Sequence, residues 1–111
     1  MRTKEELPAC PVATTVQLIG SKWKLLILRD LQARPWRFNE LTKDLEGISQ
    51  KVLTDSLCSM EEDGIVTRTV YPEVPPRVEY ALSALGESMR PIIQAMETWG
   101  REYQEAVGRG E

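Results

Sequence analysis

With 111 residues, 41% of them hydrophobic and 28% charged, the chain is long enough for one small core and has the balance of a folded soluble domain rather than a disordered segment. No histidine and only two cysteines exclude the usual zinc constellations and a disulfide framework; no apolar run reaches membrane length and the start, MRTKEELPAC, has no apolar leader, so a cytoplasmic protein without membrane contact or cofactor is expected. The net charge of −3 seems to speak against nucleic acid yet hides an uneven placement: residues 22–54 hold seven basic against four acidic side chains, and residues 55–111 five against eleven.

A single domain over 1–111 is expected, with 1–9 flexible. Pro11 suits a first helical turn, and Val12, Val16 and Ile19 follow at helical spacing until Gly20. Ser21 is placed to cap KWKLLILRDLQ, where Trp23, Leu26, Ile27, Asp30 and Leu31 form a mostly apolar stripe. Pro35 ends that helix, and RFNELTKDLEG repeats the pattern with Phe38, Leu41 and Leu45 before Gly47. In ISQKVLTDSLCSMEEDGIV, Ser49 is an N-cap, Ile48, Val52, Leu53, Leu57 and Met60 line one face, and Gly64 closes the helix. Ser49, Gln50, Lys51, Thr54 and Asp55 lie off that stripe.

Beyond Gly64 the period changes to that of strands. Val66, Arg68 and Val70 alternate on one segment and Val78, Tyr80 and Leu82 on the next, which predicts a hairpin over 65–82 with a proline-stiffened tip, PEVPP. From Ser83 a long helical stripe runs through Leu85, Met89, Ile92, Ile93, Met96, Trp99, Tyr103 and Val107. Pro91 either kinks this helix or starts its main part, and the tail GRGE is expected to fray.

Two amphipathic helices over 38–63 joined by a short turn and followed by a stiff hairpin make a winged helix-turn-helix, mainly α with a β-hairpin wing. Its second helix is sized for a DNA major groove. Ser49, Gln50, Lys51 and Thr54 supply donors and acceptors at the helix start, where the dipole also favours phosphate, and Glu61, Glu62 and Asp63 sit at the far end. The same polar residues on a lone helix would read as a solvated face; the preceding helix, the hairpin and the basic residues Lys22, Lys24, Arg37, Lys43 and Lys51 favour DNA.

The segments CPVATTVQLIGSKWKLLILRDL, RFNEL, GISQKVLTDSL, MEEDGIV and VYPEVPPRVEYAL occur in an order and spacing that resemble the HxlR-type family of bacterial transcriptional regulators, over residues 10–100. The resemblance implies a homodimer on a roughly palindromic operator, a recognition helix over 49–63, a wing tip over 72–77, and dimerisation through terminal helices over 10–20 and 83–107. A dimer would set its two recognition helices about 34 Å apart, one DNA turn. Val12, Val16, Met89, Ile92, Ile93, Met96, Trp99 and Tyr103 are the candidate interface residues. Most of the C-terminal stripe is also more apolar surface than a small domain easily covers, although it can equally pack on its own domain.

Arg77, at the base of the wing, is a candidate for phosphate or the minor groove and is also placed to pair with Glu73 or Glu79. Arg37 and Lys22 or Lys24 are candidate backbone clamps, with plain solvation as the competing reading. Cys10 precedes Pro11 at a helix start, where the dipole favours an anion. The resemblance implies a thiol there that answers to quinones, aldehydes or disulfide stress; a small residue plugging the dimer core is the alternative. Cys58 departs from the family, which often has arginine there, and packing is its expected role. A thiol enzyme on Cys10 would need a histidine, a phosphate loop or framing carboxylates, and none is found, so no enzymatic activity is expected. A winged-helix interaction module without DNA remains the alternative function, favoured by the acidic total and opposed by Lys51, Arg37 and Arg77.

Overall fold

Three serines set three of the helix starts. Ser21, Ser49 and Ser83 each present a hydroxyl oxygen that accepts the backbone N–H three residues on, from Lys24 at 3.2 Å, Val52 at 3.1 Å and Gly86 at 3.0 Å. In the computed structural model, which describes residues 1–110, the elements run α1 (Pro11–Ile19), α2 (Lys22–Leu31), β1 (Trp36–Arg37), α3 (Phe38–Asp44), α4 (Gln50–Glu62), β2 (Val66–Tyr71), β3 (Arg77–Leu82), α5 (Ala84–Glu87) and α6 (Arg90–Gly108). A short 3-10 turn, Lys4–Glu6, precedes them, and Arg2 reaches back to Asp63 with Nε 3.1 Å from its carboxylate. Glu111, the last residue of the tail expected to fray, lies outside the described residues.

β2 and β3 form the hairpin, paired antiparallel from Val66 with Leu82 to Tyr71 with Arg77. The two-residue β1 adds to the other edge of β3, Trp36 facing Tyr80 and Arg37 facing Glu79, so the strand order is β1-β3-β2. Trp36 Nε1 also donates to the Asp30 carbonyl at 2.9 Å, which ties this edge strand to the end of α2. Pro91 lies in the first turn of α6, where a missing N–H costs nothing; it starts a helix rather than kinking one.

The core gathers Ile19, Ile27, Leu28, Leu31, Leu41, Leu45, Leu53, Leu57, Met60, Ile65, Val66 and Ile93. The helix-turn-helix pair therefore packs against α2 on one side and the root of the wing on the other. Two expectations are corrected at this level, the inward side of Val52 and the outward side of Met89 and Ile93. Val52 is 37% exposed, on the flank of the α4 stripe, and Ser56 takes a buried place instead. Arg68 and Val70 are exposed because β2 leaves the body after Val66. Ile93 is 6% exposed and Met89 packs against the same core, so these two turn toward their own domain rather than outward.

Two of the glycines that geometry requires flank the wing. Gly64 closes α4 at φ +77°, which L side chains rarely adopt, and a Cβ on Gly86 would stand 2.2 Å from the Ile65 carbonyl oxygen. That carbonyl also accepts the Ser83 N–H and hydroxyl, both at 3.0 Å, so the end of the wing, the start of α5 and the end of α4 converge on one backbone oxygen.

Candidate nucleic-acid interface

The turn between α3 and α4 is short because Leu45 and Ile48, on either side of Gly47, both stay with the core side. α4 consequently leaves the body with Leu53, Leu57 and Met60 inward, and Gln50, Lys51, Thr54 and Asp55 exposed on the first two turns. Ser49 is exposed, with its hydroxyl used as the cap. Lys51 Nζ donates to Asp55 Oδ2 at 2.9 Å, and that bond raises the lysine pKa above its ordinary value. Glu61 and Glu62 are exposed at the far end, whereas Asp63 is buried and held by Arg2.

Arg37 is exposed at the N-cap position of α3; its N–H donates to Glu40 Oε1 at 2.8 Å, the main cause of a lowered Glu40 pKa. Across a cleft from it stands the wing tip, with Pro75, Pro76, Arg77 and Val78 facing Arg37, Phe38, Asn39 and Glu40. The Val74–Pro75 peptide in that tip is cis. Arg77 stacks over the Tyr71 ring at 4.0 Å and pairs with Glu73 at 3.3 Å and Glu79 at 3.9 Å. Both of the carboxylates that competed for it in the sequence are thus engaged, and its guanidinium braces the wing.

Of the two lysines at the start of α2, Lys22 is exposed above the Trp23 ring at 4.6 Å. Lys24 instead spans to α4, Nζ donating to the Ser59 hydroxyl at 2.9 Å. Arg68, on the wing, is an exposed cation that the sequence placed only by its alternation with Val66 and Val70. Its signal was its position on the first strand of a hairpin that leaves the core.

Both thiols are exposed and reduced. Cys10 is the N-cap residue of α1. Cys58 was expected to pack beside the apolar stripe of α4; it projects from the opposite side, because it follows the buried Leu57 by one position and a helix turns about 100° per residue. Along α1 and α6, Val12, Val16, Ile92, Met96, Trp99 and Tyr103 are exposed, with the Trp99 and Tyr103 rings stacked at 5.4 Å. Among the described residues no helix is long and apolar enough to cross a membrane, and no cluster of three His, Cys, Asp or Glu is placed to hold a metal.

A solved structure of the redox regulator HypR in its oxidized form superposes with a TM-score of 0.81 at 42% identity, covering 84% of this chain and 96% of that one. The reduced form of the transcriptional regulator YodB from B. subtilis gives 0.74 at 35% identity, covering 86% and 95%. In sequence, the uncharacterized HTH-type transcriptional regulator YdeP of Bacillus subtilis (strain 168) is 39% identical over 107 residues, 96% of this chain and 84% of that protein. The family model described as HxlR-like helix-turn-helix matches residues 18–107, which takes in every helix and strand from α2 through all but the last residue of α6, and the chain belongs to that family of transcriptional regulators.

Proposed function

We propose that this transcriptional regulator binds a palindromic DNA operator as a homodimer, in the cytoplasm, with α4 in the major groove. The observation that carries the reading is the exposed first half of α4: Gln50, Lys51 and Thr54 stand clear of the body at a helix N-terminus. Base contacts fall to Gln50, Lys51 and Thr54, with Ser49 holding the helix start and adding its hydroxyl to the same surface. Arg37 and Lys22 are placed outside that surface and serve as phosphate clamps. Arg77 contributes mainly by stiffening the wing and reaches phosphate only on leaving Glu73.

The second copy is supported by the apolar face of α1 and α6, where Trp99 is 65% exposed and Val12 71%. Val12, Val16, Ile92, Met96, Trp99 and Tyr103 form the proposed contact, from which the inward Met89 and Ile93 are removed. Cys10 is proposed as a thiol sensor for an oxidant or small electrophile, since it is exposed at the start of α1 and the chain resembles HypR and YodB, solved in redox-modified and reduced forms.

Fluorescence anisotropy against DNA upstream of the gene, at two salt concentrations, tests the reading. Expected is tight binding that weakens steeply with salt, changes on treatment with a quinone or diamide, and no longer changes in Cys10→Ser. Binding indifferent to treatment leaves a regulator whose Cys10 is structural. Absence of binding to that DNA and to pooled genomic fragments favours the interaction module.

A further inference from the structure

Directly across α4 from Leu53 and Leu57, the outermost line of the helix is Lys51, Asp55, Cys58 and Glu62, all exposed and three or four residues apart. Asp55 is the unexpected member. On the half of the helix that faces an anionic polymer it sets a carboxylate 63% exposed, against the ammonium of Lys51, itself 84% exposed, at 2.9 Å. Neither side chain makes another hydrogen bond or ion pair among the described residues.

Position decides what such a carboxylate meets. A residue on the flank of a groove-bound helix faces the phosphate walls, where an acid is repelled; one on the outermost line faces the groove floor, where its neighbours are base edges. A carboxylate only accepts hydrogen bonds, and the floor offers it two donors, the amino groups of cytosine N4 and adenine N6. Adenine presents its amino group beside the N7 acceptor, which a carboxylate cannot satisfy and an amide can. Lysine only donates, and guanine O6 and N7 are the acceptors that suit it. Held side by side, Lys51 and Asp55 therefore present a donor and an acceptor that complement the guanine and cytosine edges of one base pair or of two neighbouring pairs.

We propose that Asp55, coupled to Lys51, is a specificity-determining residue that selects cytosine in each half-site. The proposal rests on the reading of α4 as a groove-bound helix. The pair also cancels its own charge, so it adds little attraction for arbitrary DNA, and a site lacking the cytosine amino group leaves the carboxylate desolvated without a partner. Discrimination then comes from this penalty against wrong sequences as much as from the contact with the right one.

Selection from a random duplex library with the full chain, as wild type, Asp55→Ala and Asp55→Asn, tests this. Both substitutions are at an exposed position and leave the core untouched. Expected is a wild-type motif with a G·C pair in each half-site. In Asp55→Ala the rest of the motif persists, while preference at that pair drops by about fivefold or more, and in Asp55→Asn it moves toward adenine. A wild-type motif that Asp55→Ala reproduces with unchanged base preferences overturns the proposal and leaves the DNA-binding reading standing. Failure of the wild type to enrich any motif overturns both.

Discussion

Replacing Asp30 by Asn is expected to stabilise the protein at neutral pH, even though it removes one partner of an ion pair. Asp30 sits on the inner face of α2, 8% exposed. Its Oδ1 meets Arg29 at 3.0 Å, while Oδ2 is buried without a partner. Burial, joined by the neighbouring carboxyl of Asp44 and only partly offset by Arg29, pushes its pKa from 3.8 up to about 6. At about 1.4 kcal/mol per pH unit, keeping Asp30 ionised in the folded state costs about 3 kcal/mol. The folded state holds its proton more tightly than the unfolded chain, so this residue's contribution is most favourable below pH 4 and is lost as pH rises through 6. Glu40 and Glu87, with lowered pKa values, act in the opposite direction, so only the difference between wild type and Asp30→Asn isolates Asp30. The amide keeps the carbonyl that accepts from Arg29 and supplies a donor toward Asp44 in place of the acid proton. Urea unfolding at fixed protein concentration should show Asp30→Asn more stable at pH 7.5 by up to about 3 kcal/mol, with the advantage smaller by about 1.4 kcal/mol at pH 5. A variant less stable than wild type at pH 7.5, or a difference that does not change with pH, refutes the reasoning and makes the Arg29 pair a net stabiliser.

Gly86→Ala is expected to destabilise by about 1–3 kcal/mol in thermal unfolding, because its Cβ would meet the Ile65 carbonyl oxygen at 2.2 Å, a backbone atom already holding two Ser83 hydrogen bonds. Lys51→Ala should weaken operator binding by about tenfold while changing the slope of log affinity against log salt by less than about one, because its charge is already paired with Asp55, and the melting temperature should stay unchanged, since the lysine is 84% exposed. Trp99→Ser should shift sedimentation from dimer toward monomer while circular dichroism stays that of the wild type, because the indole is 65% exposed in the single chain.

Much of the fold is legible because local chemistry and core packing agree. The three serine caps are such a case: a residue that can accept an orphan N–H stands just before a helical stripe, and the structure uses it there. The change of period at Gly64 marks the wing for the same reason, since a glycine at positive φ ends the helix just where the alternation of strands begins. What escaped was decided by tertiary neighbours. β1 is two residues long, too short to carry any period, and exists because β3 offers an unpaired edge beside Trp36. Val52 and Leu53 are adjacent apolar residues, and the sequence has no means of saying which of the two faces α2. Cys58 was misplaced by its neighbour Leu57 in the same way, and Lys24 was read as a DNA-backbone clamp or as solvated because nothing local announces a hydroxyl on Ser59, 35 positions later.

Charge explains why the acidic total and a DNA-facing surface coexist. The acids of α3, α4 and the wing are consumed by structure where they lie near the proposed groove: Asp55 is joined to Lys51, Glu40 takes the Arg37 N–H and pairs with Arg34, and Glu73 and Glu79 brace Arg77. Each such pairing removes a repulsive carboxylate from the field seen by phosphate, but it also occupies a cation. Among the described residues around α4, the cations outside acid pairs are Lys22 and Lys24 on α2, the latter bonded to Ser59, Lys43 on α3, the Arg37 side chain on β1 and Arg68 on the wing. On the proposed reading, phosphate attraction is distributed around the rim while the Lys51–Asp55 pair at the centre of the helix is electrically neutral, an arrangement expected to give modest affinity for unrelated DNA and to leave sequence the larger say.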